Sequence, residues 1–348
     1  MTLTKPLIAI TPGDPCGIGP ELAVRLAARP ESQEQADIVL VGDLGVIREG
    51  ERAAGIRLEL APVNNPQRVL AAGRVLHLDT DTISSGDLVP GRHSPESTRS
   101  SMSMLATAVD LVQGGGAAGI LAMPMLRSLP RQNSGDTMDV AEFLALLTDT
   151  DRPVCEIAAM SSLWVTSVAG SAPLSEVASM LDRDRIFRTC SVMHEALQSA
   201  GLEKPRIAVT SYNPLIAGGG EGGREEQAAV IPAIERARAR GMDCEGPFAA
   251  ETIFKQALSD GIDAVVTMYH DQARIATSLM GFERGLAVYG GLPFRVLSPA
   301  HGPMFELAGK GKADPEAAIA SFNLLLSTTI RRTPAFRFRG DSGMERKR

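Results

Sequence analysis

The sequence predicts an α/β fold in which a mostly parallel sheet is covered by helices on both faces. Short apolar runs of strand length alternate along the chain with longer segments of helical periodicity. Turns rich in glycine and proline separate many of these runs. Such alternation favours parallel pairing, because each crossover between parallel strands lays a helix over the sheet.

The elements follow from this pattern in order. Leu7–Thr11 is the first strand, and a glycine- and proline-rich turn leads from it into a helix over residues 19–28. Further strands are expected at residues 38–41, 75–78, 119–123, 207–210 and 262–267. Further helices are expected at residues 97–113, 225–240, 251–258 and 315–327, the last packing on the first domain.

Composition excludes several classes of protein. The 348 residues suffice for two domains, and 44% hydrophobic with 22% charged residues predicts a packed core. Aromatic residues are only 4% and the net charge is −6, so nucleic-acid binding is disfavoured. No apolar run approaches the ~20 residues of a membrane span, and the chain starts without a signal-peptide pattern. We therefore expect a cytoplasmic protein with no membrane partner, and the four separated cysteines suggest neither zinc nor disulfides.

Residues 11–21 form an unusually dense turn between the first strand and the first helix. Three glycines and three prolines fix this backbone and let it approach a ligand closely. Gly13 and Asp14 are therefore candidate ligand contacts, and Asp14 could also cap the helix or orient a cation. A purely structural, rigid turn explains the same residues equally well.

His270 and Asp271 lie just past the strand at residues 262–267, where open α/β sheets place their chemistry. A neutral imidazole beside a carboxylate suits a divalent metal or general acid–base catalysis. The alternative is a helix-capping aspartate next to a structural histidine. Glu251, at the start of another predicted helix, is either a first-turn acid or a third active-site carboxylate.

Taken in order, the motifs resemble the 4-hydroxythreonine-4-phosphate dehydrogenase (PdxA) family. The resemblance runs from about residue 5 to 326 and is carried by residues 10–21, 42–47, 213–226, 268–272, 291–294 and 301–314. It implies a two-domain, three-layer α/β/α fold like that of isocitrate and isopropylmalate dehydrogenases. Residues 1–127 with 305–340 would form the first domain and 128–304 the second, with the active site in the cleft between them.

The resemblance also implies a function. It implies a homodimer that oxidises a small hydroxy acid with NAD, usually with a divalent metal, and then decarboxylates the product. Carried over residue by residue, it gives the following expected sites: catalytic His270, Asp271 and Glu251; substrate-binding Asp136, Thr137, Arg295 and Asn213; cofactor-binding Gly13, Asp14, His301, Gly302, Gly309 and Lys310; and metal-binding His270.

The chain departs from the family pattern where metal and phosphate are expected. Ser171 and Leu215 stand where two of three metal-binding histidines belong, so only His270 remains. A retained metal would need carboxylates from Asp136, Glu251 or Asp271, which favours Mg²⁺ or Mn²⁺ over Zn²⁺. The expected lysine, asparagine and arginine are replaced by Ser278, Ala287 and Val296, with Arg295 one residue away.

These losses weaken phosphate recognition, because phosphate is bound by charge-assisted donors. A substrate without phosphate, such as a cis-dihydrodiol carboxylate like that of terephthalate, is therefore at least as compatible with the sequence. The alternative from another class is a catalytically inactive, ligand-binding relative that has kept the fold.

Overall fold

The structure, a computed structural model, describes residues 5–63, 75–84, 86, 88–131, 135–214, 223–282 and 285–329. A single twelve-stranded sheet runs through these residues in the order β11-β10-β12-β9-β8-β13-β14-β5-β1-β2-β4-β3. Its strands are β1 Leu7–Thr11, β2 Asp37–Val41, β3 Leu60–Pro62, β4 Val75–Leu78, β5 Gly119–Ala122, β8 Cys155–Ala159, β9 Trp164–Ser167, β10 Arg206–Thr210, β11 Asp243–Phe248, β12 Ala264–Thr267, β13 Leu286–Gly290 and β14 Arg295–Pro299. A separate two-stranded ribbon pairs β6 Leu129–Pro130 with β7 Thr137–Met138.

The two wings of the sheet are parallel and its middle is antiparallel. Parallel pairing joins β5, β1, β2, β4 and β3 on one side and β9, β12, β10 and β11 on the other. Between them, β8 pairs antiparallel with β9 and β13, and β13 pairs antiparallel with β14. The expected mostly parallel α/β sheet is therefore confirmed, with an antiparallel centre that the sequence pattern did not predict.

Helices cover both faces of this sheet. They are α1 Gly19–Ala27, α2 Pro30–Gln35, α3 Leu44–Ala54, α4 Pro95–Gln113, α5 Val140–Thr148, α6 Leu174–Met180, α7 Arg183–Ser199, α8 Ile231–Ala239, α9 Ala250–Asp260, α10 His270–Leu279 and α11 Glu316–Thr329. A π-helical turn, Glu226–Val230, leads into α8, and a 3-10 turn spans Phe305–Leu307.

Strand alternation divides the core between the two faces. Ile8 and Ile10 of β1 join one cluster with α1, α7, α8 and α11, which extends along the whole sheet. Ala9, between them in sequence, faces the other side. There the core is split into a cluster under α4 and α5 and another under α9. Because successive strand residues point to opposite faces, fully buried strands such as these are apolar throughout.

Several expected elements match closely. β1 and β4 have the predicted bounds, and α4 begins two residues earlier than predicted, at a serine cap. Ser94 accepts a hydrogen bond from the Ser97 amide, so the helix begins where its first free N–H groups find a partner. α11 packs mainly on β14 and also contacts β5, β13 and α1, so the predicted packing on the first domain alone does not describe its position.

The division into residues 1–127 with 305–340 and 128–304 stays a prediction, and residues 330–340 lie outside the described part. Cys16, Cys155, Cys190 and Cys244 are buried, and their thiols are free. Burial raises the pKa of the Cys155 thiol to about 11. Within the described residues, no helix is both long and apolar enough to cross a membrane.

Candidate active site

A large open cavity of about 1860 Å³ lies beside the antiparallel centre of the sheet. Its walls include parts of β8 and β9, the start of α5, the start of α7 and one face of α10. His270, Ala273, Arg274 and Thr277 line it from α10. Their spacing of three and four residues places them on one side of a helix. The cavity therefore combines apolar sheet surface with titratable side chains, as small-molecule sites do.

His270 is the first residue of α10, directly after the end of β12. Its Nδ1 atom lies 2.8 Å from Oδ1 of Asp271, and both side chains are exposed, at 48% and 65%. An ionised carboxylate can only accept, so Nδ1 carries the proton and donates it. This tautomer leaves the Nε2 lone pair of His270 available as a proton acceptor.

Gln272 fixes the start of α10 against the sheet, a role that sequence reasoning did not assign to it. Its Oε1 accepts hydrogen bonds from the Met268 amide at 2.9 Å and the Thr210 hydroxyl at 3.1 Å. Its Nε2 donates to the Ser211 carbonyl at 2.9 Å. One side chain thus joins the ends of β10 and β12 to the helix that carries His270.

Two of the expected substrate contacts reach the cavity. Asp136 and Thr137 are exposed, lie at or beside β7, and line the cavity. The Asp136 carbonyl accepts a hydrogen bond from the Arg131 amide at 2.9 Å, which holds the two-stranded ribbon closed. The structure therefore brings His270, Asp136 and Thr137 to one cavity.

Asn213 and Glu251 lie outside the described cavity wall. The Asn213 amide group donates to Glu225 Oε2 at 2.9 Å, and its backbone N–H donates to the buried Glu226 at 2.7 Å. Glu251 is an exposed residue in the first turn of α9. Its position agrees with the first-turn acid that the sequence also allowed.

Arg295 does not lie in the cavity either, and strand geometry explains why. The Arg295 guanidinium donates to the Ser199 hydroxyl at 2.7 Å, at the end of α7. Val296 faces the other side of the sheet, where it packs with Ala287 and Tyr289. A shift of one residue along a strand moves a side chain to the opposite face, so Arg295 cannot replace an arginine at position 296.

The turn that contains Gly13 and Asp14 is closely packed against the rest of the protein. Asp14 is fully buried, and its carboxylate accepts hydrogen bonds from the Cys16 amide at 2.9 Å and the Ser97 hydroxyl at 3.3 Å. Burial raises the pKa of Asp14, although these two donors oppose the shift. Asp14 Oδ2 also lies 3.8 Å from His93 Nδ1, and the cofactor-binding role expected of Asp14 stays a prediction. A Cβ at Gly13 would lie 2.3 Å from the Pro124 carbonyl oxygen, so Gly13 is also enclosed.

The loop after β14 packs onto this turn. The Ile18 amide donates to the Pro303 carbonyl at 2.9 Å, and the Gly91 amide donates to the Cys16 carbonyl at 2.8 Å. His301 and Gly302 are half-buried at the start of the loop, and a Cβ at Gly302 would meet open space. Burial lowers the pKa of His301, so its imidazole is neutral at pH 7.

The other two expected cofactor residues lie farther along the same loop. Gly309 has a positive φ of 71° beside Pro90, Arg52 and Glu49, and Lys310 is exposed. An exposed ammonium, a neutral imidazole and an accessible glycine backbone fit the phosphates and sugars of a dinucleotide. These residues could hold NAD, and their role stays a prediction.

Arg127 connects the cavity to this loop, and sequence reasoning missed it. It follows β5 and lines the cavity, where its Nη1 donates to Glu156 Oε1 at 2.8 Å. Its Nη2 donates to the Ala300 carbonyl at 2.9 Å, one residue before His301. The predicted cofactor loop therefore begins directly against the cavity that holds His270.

The donor set of the described residues does not fit a divalent metal. Among the described residues, no group of three or more His, Cys, Asp or Glu side chains is arranged to hold one. His270 Nδ1 is already bonded to Asp271, and Ser171 lines the cavity where a histidine was expected. A serine hydroxyl is a poor substitute for an imidazole ligand. Leu215, the other replaced position, lies outside the described residues.

Together, these observations define an α/β protein with a large open cavity beside the hydrogen-bonded His270 and Asp271 and near a glycine-containing loop. The family profile described as "Pyridoxal phosphate biosynthetic protein PdxA" matches residues 34–325. The chain therefore belongs to the PdxA family, whose named members include dehydrogenases.

Individual relatives are similar to this chain over nearly its whole length. The chain is 37% identical over 322 residues to a Pseudomonas aeruginosa protein provisionally named 4-hydroxythreonine-4-phosphate dehydrogenase 2, covering 92% of this chain and 96% of that one. A crystal structure of 4-hydroxythreonine-4-phosphate dehydrogenase from Klebsiella pneumoniae superposes with a TM-score of 0.75 at 29% identity, covering 94% and 99% of the two chains. A terephthalate 1,2-cis-dihydrodiol dehydrogenase from Burkholderia xenovorans superposes with a TM-score of 0.63 at 25% identity, covering 93% and 98%.

Proposed function

We propose that this oxidoreductase is an NAD-dependent dehydrogenase that oxidises a secondary alcohol of a small hydroxy acid and then releases CO₂. The contact that best supports this is the Arg127 bridge, which links the His270 cavity to the loop carrying His301 and Lys310. A reaction that passes hydride from substrate to dinucleotide needs the two sites to adjoin. NAD, when bound, accepts that hydride.

The chain's own contribution begins with the substrate hydroxyl. His270 Nε2 accepts the hydroxyl proton while the carbinol carbon gives up its hydride, and a ketone forms. Asp271 stabilises the imidazolium through the Nδ1–H hydrogen bond of 2.8 Å. If the ketone lies β to a carboxylate, the C–C bond then breaks, CO₂ leaves, and the enolate takes a proton, for which protonated His270 is suitably placed.

The names of the relatives point to a phosphorylated four-carbon hydroxy amino acid and, for one structure, to a dihydrodiol carboxylate. An unphosphorylated acid remains a prediction from Ser278, Ala287 and Val296. We also propose a homodimer located in the cytoplasm, as the resemblance and the sequence imply.

The test is NADH formation by the purified full-length protein with a panel of acids: 4-hydroxythreonine 4-phosphate, 4-hydroxythreonine and terephthalate cis-dihydrodiol. We expect turnover of at least one, and a loss of roughly a hundredfold or more in kcat for His270→Ala. Asp271→Asn should reduce kcat less, and Asp260→Asn, an exposed aspartate on α9, should leave it unchanged.

The alternative is an inactive, ligand-binding relative, which the exposed His270 and the lost metal ligands favour. The same experiment separates the two functions. Binding of a panel acid with no NADH from any of them, with and without added Mg²⁺, Mn²⁺ or Zn²⁺, would establish the alternative and refute the dehydrogenase.

A further inference from the structure

One arginine in the cavity wall keeps part of its guanidinium group unbonded. Arg185, in the first turn of α7, is half-buried and lines the cavity. Its Nε donates a hydrogen bond to the Val168 carbonyl at 3.0 Å. Within the described part of the chain, nothing accepts from Nη1 or Nη2, and neither is a buried atom left without a partner. Both are therefore solvent-accessible donors on a side chain that lines the cavity.

The bond to Val168 places this guanidinium group near His270. Val168 directly follows β9, which pairs in parallel with β12. The Val168 amide donates to the carbonyl of Thr267, the last residue of β12, at 2.8 Å. Paired strands lie about 4.8 Å apart, and His270 comes three residues after Thr267. Arg185 and His270 therefore stand at the ends of neighbouring strands, and both line the same cavity.

The Arg185 side chain is oriented before any ligand binds. At its backbone, the Arg185 amide donates to Asp182, the cap of α7, at 2.8 Å. At its far end, the Nε bond to the Val168 carbonyl fixes the plane of the guanidinium group. An arginine that is already oriented loses less side-chain entropy when it binds an anion. Its two remaining nitrogens can donate to two oxygens of a carboxylate or a phosphate.

The acidic side chains near the start of α7 have partners of their own. Asp182 caps this helix, and Asp184 forms an ion pair with Arg236 of α8. Asp139 accepts from the Glu142 amide at 2.8 Å as the cap of α5. All three aspartates line the cavity, so they reduce its positive charge. An anion would therefore be held there by direct hydrogen bonds rather than by long-range attraction.

We propose that Arg185 binds the acid group of the substrate while the alcohol of the same molecule lies at His270. This inference rests on the proposed function, which makes the substrate a small hydroxy acid. It extends that function by assigning the residue that holds the acid end. The anion is a carboxylate or a phosphate, and the probes below distinguish the two.

The test is calorimetric titration of the full-length protein, with and without NADH, using 4-hydroxythreonine 4-phosphate, 4-hydroxythreonine and terephthalate cis-dihydrodiol. NADH would occupy a cofactor site without oxidising the acid. We expect at least one acid to bind. Arg185→Gln should weaken that binding by roughly tenfold or more, since charge-assisted hydrogen bonds are lost. Arg185→Lys keeps the charge without the planar fork, so its affinity should lie between the two.

Arg238→Gln is the matched control. Arg238 is an exposed arginine of α8 outside this cavity, and its Nε donates to the Cys244 carbonyl at 2.7 Å. The control therefore removes one positive charge and one bond between an arginine Nε and a carbonyl, and it should leave binding unchanged. Thermal unfolding shows whether each variant is folded. If Arg185→Gln does not fold, the comparison of Arg185→Lys with wild type decides.

The two 4-hydroxythreonine probes identify the group that Arg185 holds. A loss of affinity in Arg185→Gln that is confined to the phosphorylated acid would identify the phosphate. An equal loss for the phosphorylated and unphosphorylated acids would identify the carboxylate that they share.

Three results would overturn the proposal: no probe binds the wild-type protein, the deciding Arg185 variant binds as tightly as wild type, or Arg238→Gln loses as much affinity as Arg185→Gln. If NADH forms from an acid that Arg185→Gln still binds normally, only this inference fails. If binding depends on Arg185 but no acid is oxidised, the binding site stands and the dehydrogenase fails.

Discussion

The Gln272 side chain is bonded to Thr210 across the sheet, with its Oε1 accepting from the threonine hydroxyl at 3.1 Å. Thr210 ends β10 and is fully buried, whereas Gln272 belongs to the first turn of α10. Because the same Oε1 also accepts from the Met268 amide, a single side chain sets the distance between two strand ends and the helix that carries His270.

Gln272→Leu should therefore both destabilise the protein and impair the site. The change leaves the Met268 amide and the Ser211 carbonyl without their partner, at about 1–3 kcal/mol for each buried group left unpaired. Urea unfolding measures this loss. Gln198→Leu removes an exposed glutamine that donates to the Glu203 carbonyl at 3.3 Å, and it should cost far less. Equal costs for the two variants would show that the Gln272 contacts are not important.

Substitution of His301 tests whether the loop after β14 binds the cofactor. Its half-buried imidazole is neutral at pH 7 and lies next to the accessible backbone of Gly302. His301→Ala should weaken NAD binding by roughly tenfold, as measured by calorimetry, because a neutral donor–acceptor is lost. Unchanged NAD affinity would show that His301 does not contact the cofactor. His194→Ala, on α7, is the control, and a reduced NAD affinity in this variant would show that the effect is not specific to His301.

Asp14 predicts an unusual pH dependence of stability. Its pKa is raised in the folded protein, so its contribution is present below about pH 4, the unfolded value, and is lost as pH rises through the folded pKa. Asp14→Asn keeps a polar group beside the Cys16 amide and Ser97 hydroxyl without the buried charge. It should be at least as stable as wild type at neutral pH, and this advantage should shrink in acid.

Asp14→Ala is the comparison that separates charge from hydrogen bonding. It removes both acceptors and should be destabilised by about 1–3 kcal/mol at either pH. Denaturant unfolding at neutral and acidic pH gives the values. If Asp14→Asn were as damaging as Asp14→Ala at neutral pH, the buried carboxylate would be stabilising and the argument would fail.

The sequence predicted those parts of the fold that depend on local pattern. Leu7–Thr11 is an apolar run between two prolines, so both ends of this strand could be predicted. β8, which reads Cys-Glu-Ile-Ala-Ala, mixes a charge with small residues and gave no such signal. The antiparallel centre of the sheet was not predicted either. β13 and its partners are defined by pairing between residues that lie far apart in the sequence.

Sequence reasoning singled out His270 by its position after a strand, and Asp136 and Thr137 by the family resemblance; all three line the cavity, and their roles stay predictions. His270 and Asp271 come directly after β12, and they do line or adjoin the cavity. Arg127 bonds to a carbonyl 173 residues away, and no spacing in the sequence indicates that contact. Arg295 was singled out because it is adjacent in sequence to position 296. Adjacent residues of a strand point to opposite faces of the sheet, so the two positions are not equivalent.

Substitution of Gly13 gives the sharpest test of the turn that supports the predicted cofactor loop. It has a φ of 72°, and an added Cβ would lie 2.3 Å from the Pro124 carbonyl oxygen and 2.5 Å from that of Met123. Gly55, which ends α3, has a similar φ of 67°, but nothing lies within 4 Å of its added Cβ. Gly55→Ala should therefore cost only the left-handed backbone strain, about 1–2 kcal/mol. Gly13→Ala should cost clearly more or prevent folding, because two backbone carbonyls must also move. Equal free energies of unfolding in urea for Gly13→Ala and Gly55→Ala would mean that the segment after β5 moves at little cost to make room for the added Cβ.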